Sequence, residues 1–392
     1  MRSKGEQPPY PSPLTPHQLP FTVHRSPFTI YYPRMNESSL DLLTRLLDAA
    51  GPSGFEQAPA RIWRQAAAFA DDVRADVGGN SFATVHPASG ASDAPRIMFA
   101  GHIDEIGVML VHIDEQGFCF FEPIGGWDPQ VFVGQRVILL GRDGPVHGVI
   151  GKQAIHLMDT TERDKLSKPH DLWIDIGATS RDEALARVSV GDAGVLGSTV
   201  TRLPNDRLVS RSLDNRIGAF VVLEALRRLA GDRPKLPVTA VATTQEEIAY
   251  SGGGARTSAV SLQAHAAFVV DVTHATDSPG VEKKRHGEVK LGGGPVLSRG
   301  AAVNPVLFDL LVETARAEGI PYTVHAAARF TGTDADAIFT AHRGVATALI
   351  SVPLRYMHSP NELVALSDIE HTAALLAATA RRLELATDLV PR

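Results

Sequence analysis

The chain has 392 residues, 44% of them hydrophobic and 21% charged, with a net charge of −6. This length supports a sizeable core and two or three domains. The mildly acidic balance, without a concentrated basic tract, gives no electrostatic footprint for nucleic acid or an anionic membrane.

Cys119 is the only cysteine, which excludes an intrachain disulfide and cysteine-ligated zinc and is in keeping with a reducing cytoplasm. No apolar run reaches the roughly 18 residues of a membrane span. Residues 1–34 are Pro-rich and lack the continuous apolar core of a secretory signal, so they read as an extended or disordered lead. Met35 is a candidate for the natural start. In "ESSLDLLTRLLDAAGPSG", Ser38 or Ser39 is the expected N-cap, Leu40, Leu43, Leu46 and Leu47 fall at helical spacing, and Gly51-Pro52 stops the run. "RIMFA" then reads as a buried strand that ends abruptly in His102, Asp104 and Glu105.

From 107 to 200 the pattern changes to short β-like pieces separated by Gly, Pro and Asp turns, with one helical stretch at "SRDEALARV". This predicts a small β-rich, barrel-like domain inserted into a larger one. Beyond it, helical patterns ("NRIGAFVVLEALRRLAGD", "NPVLFDLLVETARAEGI", "IEHTAALLAATARRLELA") alternate with apolar runs ("VTAVAT", "AAFVVDV", "VATALISV"). Such alternation predicts an α/β domain, built from 35–106 and 201–392, with a sheet covered on both faces. "KLGGGPVLSRG" lacks the features of a phosphate loop and reads as a loop lining the cleft.

The apolar runs share one property. "RIMFA" leads to His102 and Asp104, "VTAVATT" to Glu246 and Glu247, "AAFVV" to Asp271, and "VATALISVPLRYM" to His358, while Asp214 stands just ahead of a helix. Each has a bland reading. A lone His102 is more often a hydrogen-bonded loop residue, Asp214-Asn215 a helix cap, Glu246-Glu247 a solvated pair, and His358 a turn residue. Asp271 is harder to dismiss, because a half-buried carboxylate needs a partner. Their joint placement at the C-terminal ends of strands, where open α/β sheets bind ligands, argues against chance. Two imidazoles and three or more carboxylates suit zinc, cobalt or manganese. Two metals sharing a bridging carboxylate use five ligands better than one metal does. If Glu247 is a ligand, Glu246 is free to act as general base.

These pieces, in this order, resemble the M42 family of metallo-aminopeptidases: "GHIDEIG", "SLDNRIGA", "TTQEEI", "VVDVTHATDSPG", "TGTDADAI" and "MHSPNE". With "LLDAAGPSGFE" and "LWIDIGATSRDEA", the likeness spans about residues 36–385. It implies the α/β/α sandwich of di-metal exopeptidases, with residues 107–200 as a dimerisation domain. It also implies His102 and Asp271 on one divalent metal, Glu247 and His358 on the other, Asp214 bridging them, Glu246 as base and Asp104 orienting His102. The implied activity is removal of N-terminal residues from short peptides in the cytoplasm, by a homo-oligomer of dimers assembled into a tetrahedral dodecamer. The sequence departs from the family at "QEEIAYSGGGA", where Ala249 replaces an expected Gly. Rival readings are a glycoside hydrolase, which generally needs no metal, an acyl-amino-acid deacylase and, last, a non-catalytic scaffold. Arg299, Arg329 and Arg355 are candidates for recognising an acidic side chain.

Overall fold

Four apolar runs form the centre of an 11-stranded sheet. Val238–Thr243, Ile97–His102, Ala266–His274 and Ala346–Arg355 lie side by side and parallel. All six residues of Val238–Thr243 and of Ile97–His102 are buried. Strands covered on both faces have no polar side to alternate with, so they read as continuous apolar runs. Thr243 pairs with His102, and Asp271 with Ser351, so the C-terminal ends of all four strands emerge at one edge. Ser81–Val85 and Glu362–Ala365 flank this core antiparallel. The computed structural model describes residues 35–90, 94–161, 163–248 and 252–392. The Pro-rich lead and Ala249, with Tyr250 and Ser251 beside it, lie outside the described residues.

The long helix Leu213–Gly231 packs across the central strands at backbone contact. A Cβ on Gly101 would stand 2.4 Å from the carbonyl carbon of Gly218, closer than any side chain tolerates. This approach brings the start of the helix, and Asp214 with it, to the sheet edge. Leu366–Arg382 and Glu37–Asp48 pack beside that helix, and Gly253–Leu262 and Asp334–Ile338 pack together over the central strands. The N-cap of Glu37–Asp48 is Asn36 rather than either serine: its side chain accepts the Ser39 N–H at 2.8 Å. Ser39 instead turns inward, its hydroxyl donating to Glu224.

Between Gly107 and Leu196 six short strands close into a barrel, in the order Gly107–Ile113, Cys119–Ile124, Trp173–Asp175, Gly144–Gly151, Arg136–Gly141 and Ala193–Leu196. Val108, Leu110, Phe121, Phe132, Leu139 and Ile174 fill it, a core separate from that of the sheet. Phe132 stacks edge-on to Phe121 at 5.3 Å and lies 4.8 Å from Trp127. The mixed α/β sheet with a barrel-like insert is thus the expected fold class. "KLGGGPVLSRG" departs from expectation. Val296–Gly300 is a strand, and the N–H groups of Gly292 and Gly294 bond the Asp368 carboxylate, so these glycines line no part of the main cavity. Among the described residues no helix is long and apolar enough to cross a membrane.

Candidate active site

The strand ends converge on a cavity of about 750 Å3 whose walls include His102, Asp214, Glu246, Glu247, Asp271 and His358. His102 closes its strand and is 1% exposed. Its Nε2 lies 3.3 Å from Asp214 Oδ1 and 3.9 Å from Asp271 Oδ1. His358 Nε2 lies 3.4 Å from Asp214 Oδ2 and 3.4 Å from Glu247 Oε2. The two oxygens of Asp214 therefore face different imidazoles. Two candidate ligand groups result, His102–Asp214–Asp271 and Asp214–Glu247–His358, each with ligand atoms within 4.8 Å of one another. Glu246 belongs to neither, although its Oε2 is 3.8 Å from His102 Nε2.

Each group is held by specific contacts. Asp214 (ψ 106) and Asn215 are not helical. Asn215 does the capping: its Oδ1 accepts the Gly218 N–H at 2.9 Å, and its Nδ2 donates to the Val270 carbonyl at 2.8 Å. That leaves the Asp214 carboxylate for the cavity. Asp104 is fully buried and faces His102 Nδ1 at 3.4 Å, longer than an ordinary hydrogen bond. Its oxygens accept the Ser53 hydroxyl at 2.6 Å and the N–H groups of Glu246 and Glu247 at 3.2 Å. Asp104 thus fixes the turn that carries both glutamates, a turn that begins with Gln245 at φ +60.

Several contributors were not singled out by sequence. Glu362, the last residue of "MHSPNE", accepts the N–H of Asp214 at 3.0 Å and of His358 at 2.9 Å, one through each oxygen. Gly126 of the barrel region sets its carbonyl 2.6 Å from His358 Nδ1. A carbonyl only accepts, so Nδ1 carries the hydrogen and Nε2 is the nitrogen presented to Asp214 and Glu247. Asp334, inside "TGTDADAI", also lines the cavity, 4% exposed.

The donor set fits divalent cations. Separations of 3.3–3.4 Å between imidazole nitrogens and carboxylate oxygens exceed those of charge-assisted hydrogen bonds. They match the spacing of about 3.3 Å between two ligands each roughly 2.0–2.1 Å from a shared tetrahedral ion. Glu247 Oε1 is buried without a hydrogen-bond partner, as a ligand oxygen can be. Burial pushes Glu246 up to about 10, with Asp271 and Asp334 adding repulsion against the pull of His102. Burial and the nearby Asp214 raise Glu247 to about 7. His358 rises as well: burial disfavours its charge, but Asp214 and Glu247 outweigh that and lift it to about 11. The cluster gathers more carboxylates than its two imidazoles can balance, a deficit that divalent cations held by the two groups would offset.

A family model described as M42 glutamyl aminopeptidase matches residues 79–375. The chain belongs to this family. The lysyl aminopeptidase of Pyrococcus furiosus is 33% identical over 350 residues, which is 88% of this chain and 97% of that protein. A TET aminopeptidase from a marine-sediment Thaumarchaeota archaeon superposes with a TM-score of 0.83 at 34% identity, covering 88% of this chain and 97% of that one. The TET1 peptidase of Pyrococcus horikoshii, described as able to assemble into a tetrahedron or a large octahedral shell, gives 0.78 at 30% identity over 88% of this chain and 100% of its own. Of the three arginines considered, Arg355 pairs with Asp277 at 2.9 Å and Arg299 lies over the Phe308 ring at 5.3 Å. Arg329 lines a neighbouring cavity of about 400 Å3 that shares Thr273 and Thr331 with the main one.

Proposed function

We propose that this M42 chain is a metal-dependent aminopeptidase that removes the first residue of short peptides. His102 and Asp271 hold one divalent cation, Glu247 and His358 a second, and Asp214 bridges the two, with zinc or cobalt the preferred ions and manganese an alternative. The observation that carries this reading is the division of the Asp214 carboxylate between two imidazoles. Cations in these positions supply Lewis acidity to the scissile carbonyl and lower the pKa of water. Glu246 takes the proton of the attacking water and delivers it to the leaving amine. Asp104 orients His102 and holds the Glu246–Glu247 turn.

The protein works as a cytoplasmic homo-oligomer, in which residues 107–200 supply dimer contacts and dimers build a tetrahedral dodecamer. The assembly of its Pyrococcus horikoshii relative supports this, as does a barrel with its own core. The test is a panel of aminoacyl-anilides and short peptides assayed before and after chelation, then with zinc, cobalt or manganese restored. Chelation abolishes turnover, and one or more of the metals returns it. Undiminished activity in metal-free protein, or cleavage of cellulose oligomers in place of peptides, would overturn the proposal.

A further inference from the structure

An enzyme that cuts only at a peptide's start must recognise the free α-ammonium, and the cavity contains one carboxylate with no other employment. Asp214, Glu247 and Asp271 belong to the candidate cation groups, and Glu246 is the proposed base. Asp336 also lines the cavity, but both its oxygens are occupied. They accept the Thr331 N–H and hydroxyl at 2.9–3.0 Å and the Gly332 N–H at 2.8 Å, clamping that turn. Asp334 differs. It opens the short helix Asp334–Ile338, whose cap is Thr333. Its Oδ2 accepts the Thr243 hydroxyl at 2.6 Å, which ties it to the strand end that leads into Glu246. Its Oδ1 accepts no hydrogen bond among the described residues, and no Lys or Arg among them pairs with it.

A carboxylate 96% removed from solvent and satisfied by a single hydroxyl is costly unless a cation comes to it. It stands outside both cation groups yet on the wall of the same cavity. We propose that Asp334 holds the α-ammonium of the substrate's first residue and so makes the enzyme an exopeptidase. The inference rests on the aminopeptidase reading of this site. A peptide α-amine, with an ordinary pKa near 8, is mostly protonated at pH 7 and brings three donors to a carboxylate sheltered from water. The first residue is thereby fixed at its amino end, so the bond presented to Glu246 is always the first. An N-acylated substrate has no charge to offer and leaves Asp334 unpaired, which disfavours deacylation.

The test compares wild type with Asp334→Asn and Asp334→Glu on an aminoacyl-anilide and on its N-acetyl and des-amino counterparts, with metal content measured in each protein. Asn keeps an oxygen for Thr243 but removes the charge. For Asp334→Asn, kcat/KM on the free-amine substrate falls about 10- to 100-fold, the loss of a hydrogen bond to a charged group. The fall is carried by KM, the preference for free amine over des-amino substrate shrinks by the same factor, and metal content is unchanged. Asp334→Glu recovers part of the preference. An unchanged KM and preference in Asp334→Asn would overturn the inference. So would loss of metal from it, since the carboxylate would then serve the cations. Failure of metal-loaded wild type to cleave any free-amine substrate would instead refute the aminopeptidase reading itself.

Discussion

Glu246→Gln lowers kcat by roughly 100- to 10,000-fold, the range for loss of a general base, while the protein still binds its cations. Glu246 stands outside both candidate ligand groups, so exchanging its carboxyl group for an amide takes no ligand away. Its backbone N–H remains bonded to Asp104, so the turn also survives. The amide cannot accept and then return a proton, so chemistry slows and binding does not. The check is steady-state kinetics on an aminoacyl-anilide with metal content determined in parallel. A variant within a few-fold of wild type, with cations bound, would remove Glu246 from the mechanism.

The second large effect concerns stability. Arg216, two residues after Asp214, has no exposed surface. It donates to the carbonyls of Ile103, Leu46, Ala49 and Gly51 and to Glu105 Oε1 at 2.9 Å. Arg211 binds both oxygens of Glu105 from the other side. One guanidinium therefore ties the end of the first helix, the loop after it and the strand carrying His102 to the segment carrying Asp214. Burial lowers its pKa to about 10, against the pull of Glu105, so it stays charged at neutral pH. Arg216→Leu leaves four carbonyls without this donor and halves the positive charge around Glu105. Breaking a buried ion pair in this way costs about 3–5 kcal/mol, read as a lower midpoint of denaturant unfolding. Arg216→Lys recovers little, because three donors on a point charge cannot replace a planar fork. A midpoint within error of wild type would contradict this role.

The parts of the fold that are legible from sequence are those set by local pattern. Ile97–His102 and Val238–Thr243 are buried on both faces, so apart from Thr239, whose hydroxyl meets that of Thr84, nothing polar interrupts them until the chain reaches the cavity. The polar residues that follow are conspicuous for that reason. Helix caps are less legible: asparagine and serine both satisfy an N-terminal N–H, and choosing Asn36 over Ser38 or Ser39 depends on Ser39 finding Glu224, 185 positions away. The supports of the site are less legible still. Glu362 reaches Asp214 across 148 positions, Asp334 reaches Thr243 across 91, and the Gly126 carbonyl meets His358 across 232. No local periodicity encodes such contacts. Their only trace in the sequence is that Glu362 and Asp334 fall inside motifs whose neighbours carry the chemistry.

Everything proposed for the chemistry depends on Asp214 lying between two cation positions. Titration of chelated protein with zinc, followed by calorimetry and elemental analysis, addresses this directly. Wild type takes up two ions per chain, and Asp214→Asn loses affinity at both positions because each shares that carboxylate. A single ion per chain, or an Asp214→Asn protein that still binds two with wild-type affinity, would contradict it.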